Sequence, residues 1–294
     1  MWLSHLLLLL PPLGSLCGDM PDLSFNHLAA YLVSLRSYDY VQQPGDNHFC
    51  SGAIISERHV LTSGHCITNK RGLLMNARRF KLAFCSPLAD ARDKREQLVR
   101  IHSMVVYPLY ERNKQDDLGV IKLRRNIWFR GHHLVSVGIG SDQLDVGKDC
   151  FGIGWTQRET RRKMKAHPLL VTNVEIRPFE ECLKPQAKDL PRNAHAEGDF
   201  LMCLNNTDPH ICMSDIGGPI FCNNRLYGLA LGFVDCSDHD PVFFSYVPYY
   251  NSWLERIISQ GVLLHHRLPL QWLVAWALLL RLLRHNFLSG QMHG

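Results

Sequence analysis

Between about residue 28 and residue 258 the chain is built from short, apolar, β-prone runs separated by turn residues. They are AAYLVSL (29–35), GAIIS (52–56), HVLTS (59–63), RFKLAFC (79–85), DLGVIKL (117–123), RLYGLALGF (225–233) and PVFFSYV (241–247). Runs of this length and spacing predict an antiparallel sandwich or barrel rather than alternating strand–helix units. One segment reads otherwise. In YYNSWLERIIS (249–259), Trp253, Ile257 and Ile258 fall on one side of a helix, so the domain is expected to end in one.

The two ends of the chain differ in texture from this middle. Residues 1–18 read as a secretory signal: a short uncharged start, the apolar run Leu6–Leu10, then breakers and small residues up to Cys17 and Gly18. That run is too short to span a bilayer. Residues 19–259 are the expected folded domain. Residues 260–294 are a tail with an apolar stretch, 268–283, broken by Pro269, Gln271 and Arg281. Two readings of the tail stay open: attachment to a membrane, or an amphipathic segment that is soluble or partner-bound.

Composition narrows the class. The chain has 294 residues, 46% of them hydrophobic and 20% charged, with a formal charge of +5. This is globular material, and the charge is too mild to argue for nucleic acid. Ten cysteines in an exported chain are expected to be mostly paired. A single N-x-T sequon at Asn205 suits the same extracellular compartment. The sixteen histidines are scattered, and pairs such as His132-His133 and His265-His266 lack the spacing of a zinc site. No metal and no cofactor are expected.

The chemistry turns on CMSDIGGPIFC (212–222). Its glycines allow a tight turn and two cysteines hold its ends, in the outline of a nucleophile loop, yet the reactive position is Ile216. Two earlier segments belong with it: FCSGAIISERHVLTSGHC (49–66), where His65 precedes Cys66, and QDDLGVIKL (115–123), where Asp117 opens a strand. In this order the three segments resemble the trypsin- and chymotrypsin-like serine proteases over roughly residues 28–258. The marks YLVSLRS (31–37), DCFGIGWT (149–156), GLALGFVDC (228–236) and VPYYNSWL (247–254) add to the likeness. The resemblance implies two six-stranded antiparallel β-barrels and a C-terminal helix.

It also implies roles. His65 stands where the base would be, Asp117 where the orienting acid would be, and Ile216 where the nucleophile would be. An isoleucine offers no hydroxyl, thiol or amine, so no acyl intermediate can form on it. Ser214 lies where the family has an oxyanion glycine, and its side chain is not expected to substitute. Asp215 retains the acid that pairs with a freed N-terminal amine in active members. No activation cut site precedes the domain, and counting back places that amine near Gly18, so signal removal itself could free it. The pocket is expected to be filled: Phe233 and Val242 replace wall glycines, Leu231 and Gly232 replace the serine and tryptophan of the cleft, and His210 stands at the floor.

From the same matching follow four disulfides, Cys50–Cys66, Cys150–Cys222, Cys182–Cys203 and Cys212–Cys236. Cys85 is left over, either buried and inert or bridged to another chain or to Cys17. The basic cluster RETRRKMKAH (158–167) is read as a solvated loop or as a site for a sulfated glycan or other polyanion. The expectation is a non-catalytic serine protease homologue that acts by binding an unidentified protein partner. It would be secreted, with cell-surface attachment as an open alternative and no nucleic-acid partner. A polyanion-binding effector and an endopeptidase with an unusual nucleophile remain as other classes.

Overall fold

The computed structural model describes residues 28, 30–38, 47–84, 97–112, 116–129, 132–133, 136–141, 143–155, 169–182, 200–206, 216–231 and 242–266. Two antiparallel β-barrels account for most of them.

The first barrel comprises β1 (Leu32–Ser37), β2 (His48–Ser56), β3 (His59–Thr62), β4 (Phe80–Phe84), β5 (Gln97–Val99), β6 (Ile101–Val106) and β7 (Gly119–Leu123). Their order across the sheet is β5-β4-β1-β2-β3-β7-β6. Only Arg100 separates β5 from β6. The first half of this bent strand pairs with β4 (Leu82↔Val99) and the second half with β7 (Ile101↔Leu123). One interrupted strand thus joins the two edges, so seven segments make a six-stranded barrel. Inside it Val33, Leu35, Ile54, Leu61, Leu82 and Phe84 are fully buried. The run GAIIS does not alternate because β2 is buried on both faces, every residue from Cys50 to Ile55 being buried; its Ser51 amide also donates to the Ile216 carbonyl at 2.8 Å.

The small pair β8 (Trp128–Phe129) and β9 (His132–His133) follows. The second barrel is closed by β10 (Asp149–Gly154), β11 (Leu170–Ile176), β12 (Leu201–Asn206), β13 (Pro219–Cys222), β14 (Arg225–Ala230) and β15 (Val242–Tyr246), in the order β10-β11-β12-β15-β14-β13. Its sharpest hairpin is set by two residues. Asn223 and Asn224 take φ of 50° and 59° between the paired Cys222 and Arg225, as a two-residue I′ turn requires and as asparagine tolerates. Its core holds Val174, Met202, Leu204, Ile220, Tyr227 and Phe244.

Three helices complete the described chain: α1 (Gly64–Ile67), α2 (Phe179–Cys182) and α3 (Asn251–His266). From Ser252 onward the chain forms a unit of its own. Disulfides join Cys50 to Cys66, Cys150 to Cys222 and Cys182 to Cys203. The expected Cys212–Cys236 bridge and Cys85 lie outside the described residues. So do residues 1–18 and the 268–283 stretch. Among the described residues no helix is long and apolar enough to cross a membrane.

Candidate functional site

The site is built where α1 leaves β3. Ser63 caps α1: its hydroxyl accepts from the His65 amide at 3.1 Å. Asp117 is only 3% exposed at the start of the segment leading into β7, and both its oxygens are occupied. Oδ1 accepts the His65 amide at 2.7 Å and Oδ2 accepts the Ser63 hydroxyl at 2.6 Å. A buried carboxylate is costly unless hydrogen-bonded, and here two donors from one helix start provide for it. The preceding Asp116 has φ of 51°, a left-handed conformation that Asp adopts more readily than most residues. Its Oδ1 accepts from the Tyr250 hydroxyl at 3.0 Å. Burial, then the Asp116 charge, raise the Tyr250 pKa, so this hydroxyl stays a donor.

The imidazole of His65 has a neighbour that motif matching does not supply. Arg112 Nη2 lies 2.7 Å from His65 Nε2, while Nη1 donates to the His65 carbonyl (3.1 Å), the Thr68 carbonyl (3.2 Å) and Thr68 Oγ1 (3.1 Å). A guanidinium only donates, so Nε2 must accept. In that arrangement the ring proton belongs on Nδ1, a buried atom. The lone pair that a base would use to deprotonate a nucleophile is already engaged. Thr68 Oγ1 is fixed in turn by the Gly64 carbonyl at 2.8 Å and contacts Tyr110 Oη at 3.0 Å. Burial is the main cause that raises the Tyr110 pKa.

Ile216 comes from the other barrel, in the turn before β13. Its carbonyl accepts from Ser51 and lies 3.7 Å from Cys66 Sγ, which brings the residue beside α1. Gly217 follows with φ of 78°, and a β-carbon there would collide with Ser51 O. The Gly217 amide donates to Ala230 O at 2.8 Å, and the Ala230 amide donates to Gly218 O at 2.9 Å. The tight turn following the nucleophile position is therefore intact, although the side chain preceding it is aliphatic and half-buried. Leu231, in the cleft position assigned to it, is 3% exposed. Ser214, Asp215, His210, Phe233 and the loop 158–167 lie outside the described residues. Of Val242 only the backbone is described, in β15. Asn205 is the second-last residue of β12, opposite Glu175, with its Oδ1 buried.

A second buried polar group lies on β1 and β2. Arg36, 1% exposed, donates from Nε to Ser34 Oγ at 3.0 Å, and Ser34 Oγ lies 2.8 Å from His48 Nδ1. The His48 ring meets Trp155 edge-on, with centroids 5.1 Å apart. Sequence reasoning used YLVSLRS only as a family mark and missed this group, along with Ser63, Tyr110 and Arg112. Ser63 alone carried a local signal, a serine directly before a short helix. Among the described residues no group of three or more His, Cys, Asp or Glu could hold a metal ion.

The comparisons with known proteins agree with this geometry. A family model described as Trypsin matches residues 28–254. Among curated proteins, Trypsin I-P1 of Gallus gallus is 24% identical over 237 residues, covering 79% of this chain and 86% of that relative. Alpha-fibrinogenase albofibrase of Trimeresurus albolabris is 24% identical over 215 residues, covering 72% of this chain and 78% of its own length. Among solved structures, neuropsin, a serine protease expressed in the limbic system of mouse brain, superposes with a TM-score of 0.61 at 18% identity. That match covers 79% of this chain and 96% of neuropsin. With both barrels, the His65–Asp117 corner and the glycine turn in place, the chain belongs to the trypsin family of serine protease domains.

Proposed function

We propose that this chain is a non-catalytic member of its family, exported, and active through binding a protein partner. The observation that carries the reading is Ile216, the residue directly before the Gly217–Gly218 turn. Its side chain holds no atom able to attack a carbonyl. In a triad enzyme, loss of one member leaves at most about 10³–10⁴-fold over water from binding and oxyanion donors. Arg112 adds a second obstacle, because the 2.7 Å contact engages His65 Nε2. The buried Leu231 supports the expectation of a filled cleft, to which Phe233, Val242 and His210 are assigned. The serine at 214 is expected to weaken the oxyanion donors, and Asp215 to pair with an amine or another cation. Three disulfides suit an extracellular chain. A glycan on Asn205 and surface attachment through the 268–283 stretch belong to the same reading.

The test is direct. Purified mature protein is offered a broad peptide library and a fluorophosphonate probe, beside a His65→Ala control. Neither cleavage nor labelling above the control is expected. Turnover or labelling that disappears in His65→Ala would overturn the proposal. Affinity capture from the native tissue, with residues 19–259 as bait, is the route to the partner.

A further inference from the structure

The charge of the described molecule is unevenly placed. Among the described residues between 28 and 129, twelve Lys and Arg stand against four Asp and Glu, whereas those from 136 onward hold four against six. Five of the twelve stand at the bend at Arg100 where the first barrel closes, and five more lie between residues 70 and 81. Arg58 occupies the β2–β3 turn, Arg100 the break between β5 and β6, and Lys122, Arg124 and Arg125 lie at the end of β7 or just past it.

Main-chain hydrogen bonds hold these residues together. The Leu123 amide donates to Arg58 O at 2.8 Å, and the Arg124 amide donates to Arg100 O at 3.0 Å. The Arg58 guanidinium donates to Leu123 O and Arg124 O, both at 3.1 Å, which fixes its charge over the same corner. The cations therefore span neighbouring strands, roughly 10 Å of surface at ordinary strand spacing. Arg100, Arg124 and Arg125 are exposed, and Lys122 is half-exposed. Among the described residues none of these four side chains meets a carboxylate. Among the described residues the corner's acid is Glu57, which accepts from Asn126 Nδ2 at 2.8 Å. Buried His59 registers the same field. Its pKa is lowered to about 4, by burial first and then by the charges of Lys122 and Arg58.

We propose that this corner is a binding site for a sulfated polysaccharide, with Arg100, Lys122, Arg124 and Arg125 contacting sulfate groups and Arg58 holding the corner in shape. Like-charged groups crowded on a rigid surface repel one another, and a polyanion relieves that repulsion. Arginine forks match the paired oxygens of an oxyanion. Two features favour a sulfated glycan over nucleic acid. Among the described residues the large exposed apolar side chain of this region is Leu98, with no exposed aromatic ring on which bases could stack. The disulfides, moreover, suit an extracellular site, where such glycans abound. The proposal uses none of residues 158–167 and does not depend on whether the chain is catalytic.

The experiment uses the full mature chain, a heparin column and a defined heparin oligosaccharide in solution. The triple variant Arg100→Gln/Arg124→Gln/Arg125→Gln should elute at lower salt and bind the oligosaccharide at least about ten-fold more weakly, since three of the four sulfate-contacting cations are removed. The matching triple Arg→Lys variant should keep most of the binding, which separates charge from fold. Neutralising Arg161, Arg162 and Lys163 should leave most of it as well. Unchanged affinity in the first variant, or loss confined to the 161–163 variant, would overturn the proposal. So would a single-stranded oligonucleotide of equal charge binding as tightly as the oligosaccharide.

Discussion

The two barrels differ at the residues that match the family's triad. The first carries His65 and Asp117, the residues matched to the family's base and orienting acid. The second carries Ile216 at the position matched to the nucleophile, followed by the Gly217–Gly218 turn. The difference is explained by what each residue does in the fold. Asp117 takes the His65 amide and the Ser63 hydroxyl, so it anchors the start of α1 whether or not any chemistry follows. Gly217 is fixed by its positive φ and by Ser51 O. At Ile216 it is the backbone carbonyl that bonds to Ser51, a contact that any side chain there would allow. Retained triad residues are thus poor witnesses for catalysis when the scaffold needs them anyway.

The largest expected effect contrasts the barrels through their disulfides. Cys150–Cys222 closes 72 residues and Cys50–Cys66 closes 16. On the chain-entropy account, removing the first as a Cys→Ala pair should cost about 4 kcal/mol and removing the second about 3 kcal/mol. Urea unfolding of the two variants measures the order, and a reversed order would mean that the Cys50–Cys66 bridge contributes more through native packing at the site than through loop length.

The next effect belongs to the first barrel alone and follows pH. His59 is buried, with Nδ1 2.7 Å from Ser56 Oγ, and its pKa falls from 6.5 to about 4 on folding. The unfolded chain takes up this proton more readily, so the contribution is fully present above pH 6.5. It is lost as pH drops toward 4, reaching about 3 kcal/mol. His59→Gln should flatten that limb of the stability curve. A limb unchanged by the substitution would place the acid sensitivity on other groups.

How much of this could be read from the sequence varies with range. The β runs and the Cys50–Cys66, Cys150–Cys222 and Cys182–Cys203 pairings were accessible, because each rests on a local pattern or on motif matching. Strands such as IHSMVV (101–106) and LVTNVEI (170–176) were not singled out, since polar residues interrupt their apolar positions. The contact between Arg112 and His65 spans 47 residues, and no local spacing marks it. Arg100 and Arg124 meet only because β6 pairs with β7 in the observed register. Charge and motif can be read along a chain, but register decides which charges share a surface.

A smaller effect tests why Asp117 persists. Asp117→Ala would leave the His65 amide and the Ser63 hydroxyl without their acceptor, at a cost of about 2–3 kcal/mol. Asp117→Asn keeps one carboxamide oxygen and should lose roughly half as much. Denaturation of the two variants distinguishes them. Equal losses would mean that the negative charge, rather than the acceptor count, is what the corner requires.

The smallest change in stability, about 1 kcal/mol, is expected from Arg112→Ala, and it bears most closely on chemistry. With Arg112 present, the imidazole should be the Nδ1–H tautomer, because Nε2 faces a group that can only donate. Nitrogen-15 NMR of the ring reads this form directly, and Arg112→Ala should release Nε2 and mix the two tautomers. The same substitution separates the obstacles to catalysis. Ile216→Ser alone should remain unreactive toward a fluorophosphonate probe because its hydroxyl would find the base engaged. Adding Arg112→Ala should permit slow labelling, since the probe reports nucleophile activation and makes small demands on the cleft. Equal labelling of the single and double variants would show that the arginine contact does not hold the base. No labelling of either would place the remaining barrier in the oxyanion donors, where Ser214 stands in for a glycine.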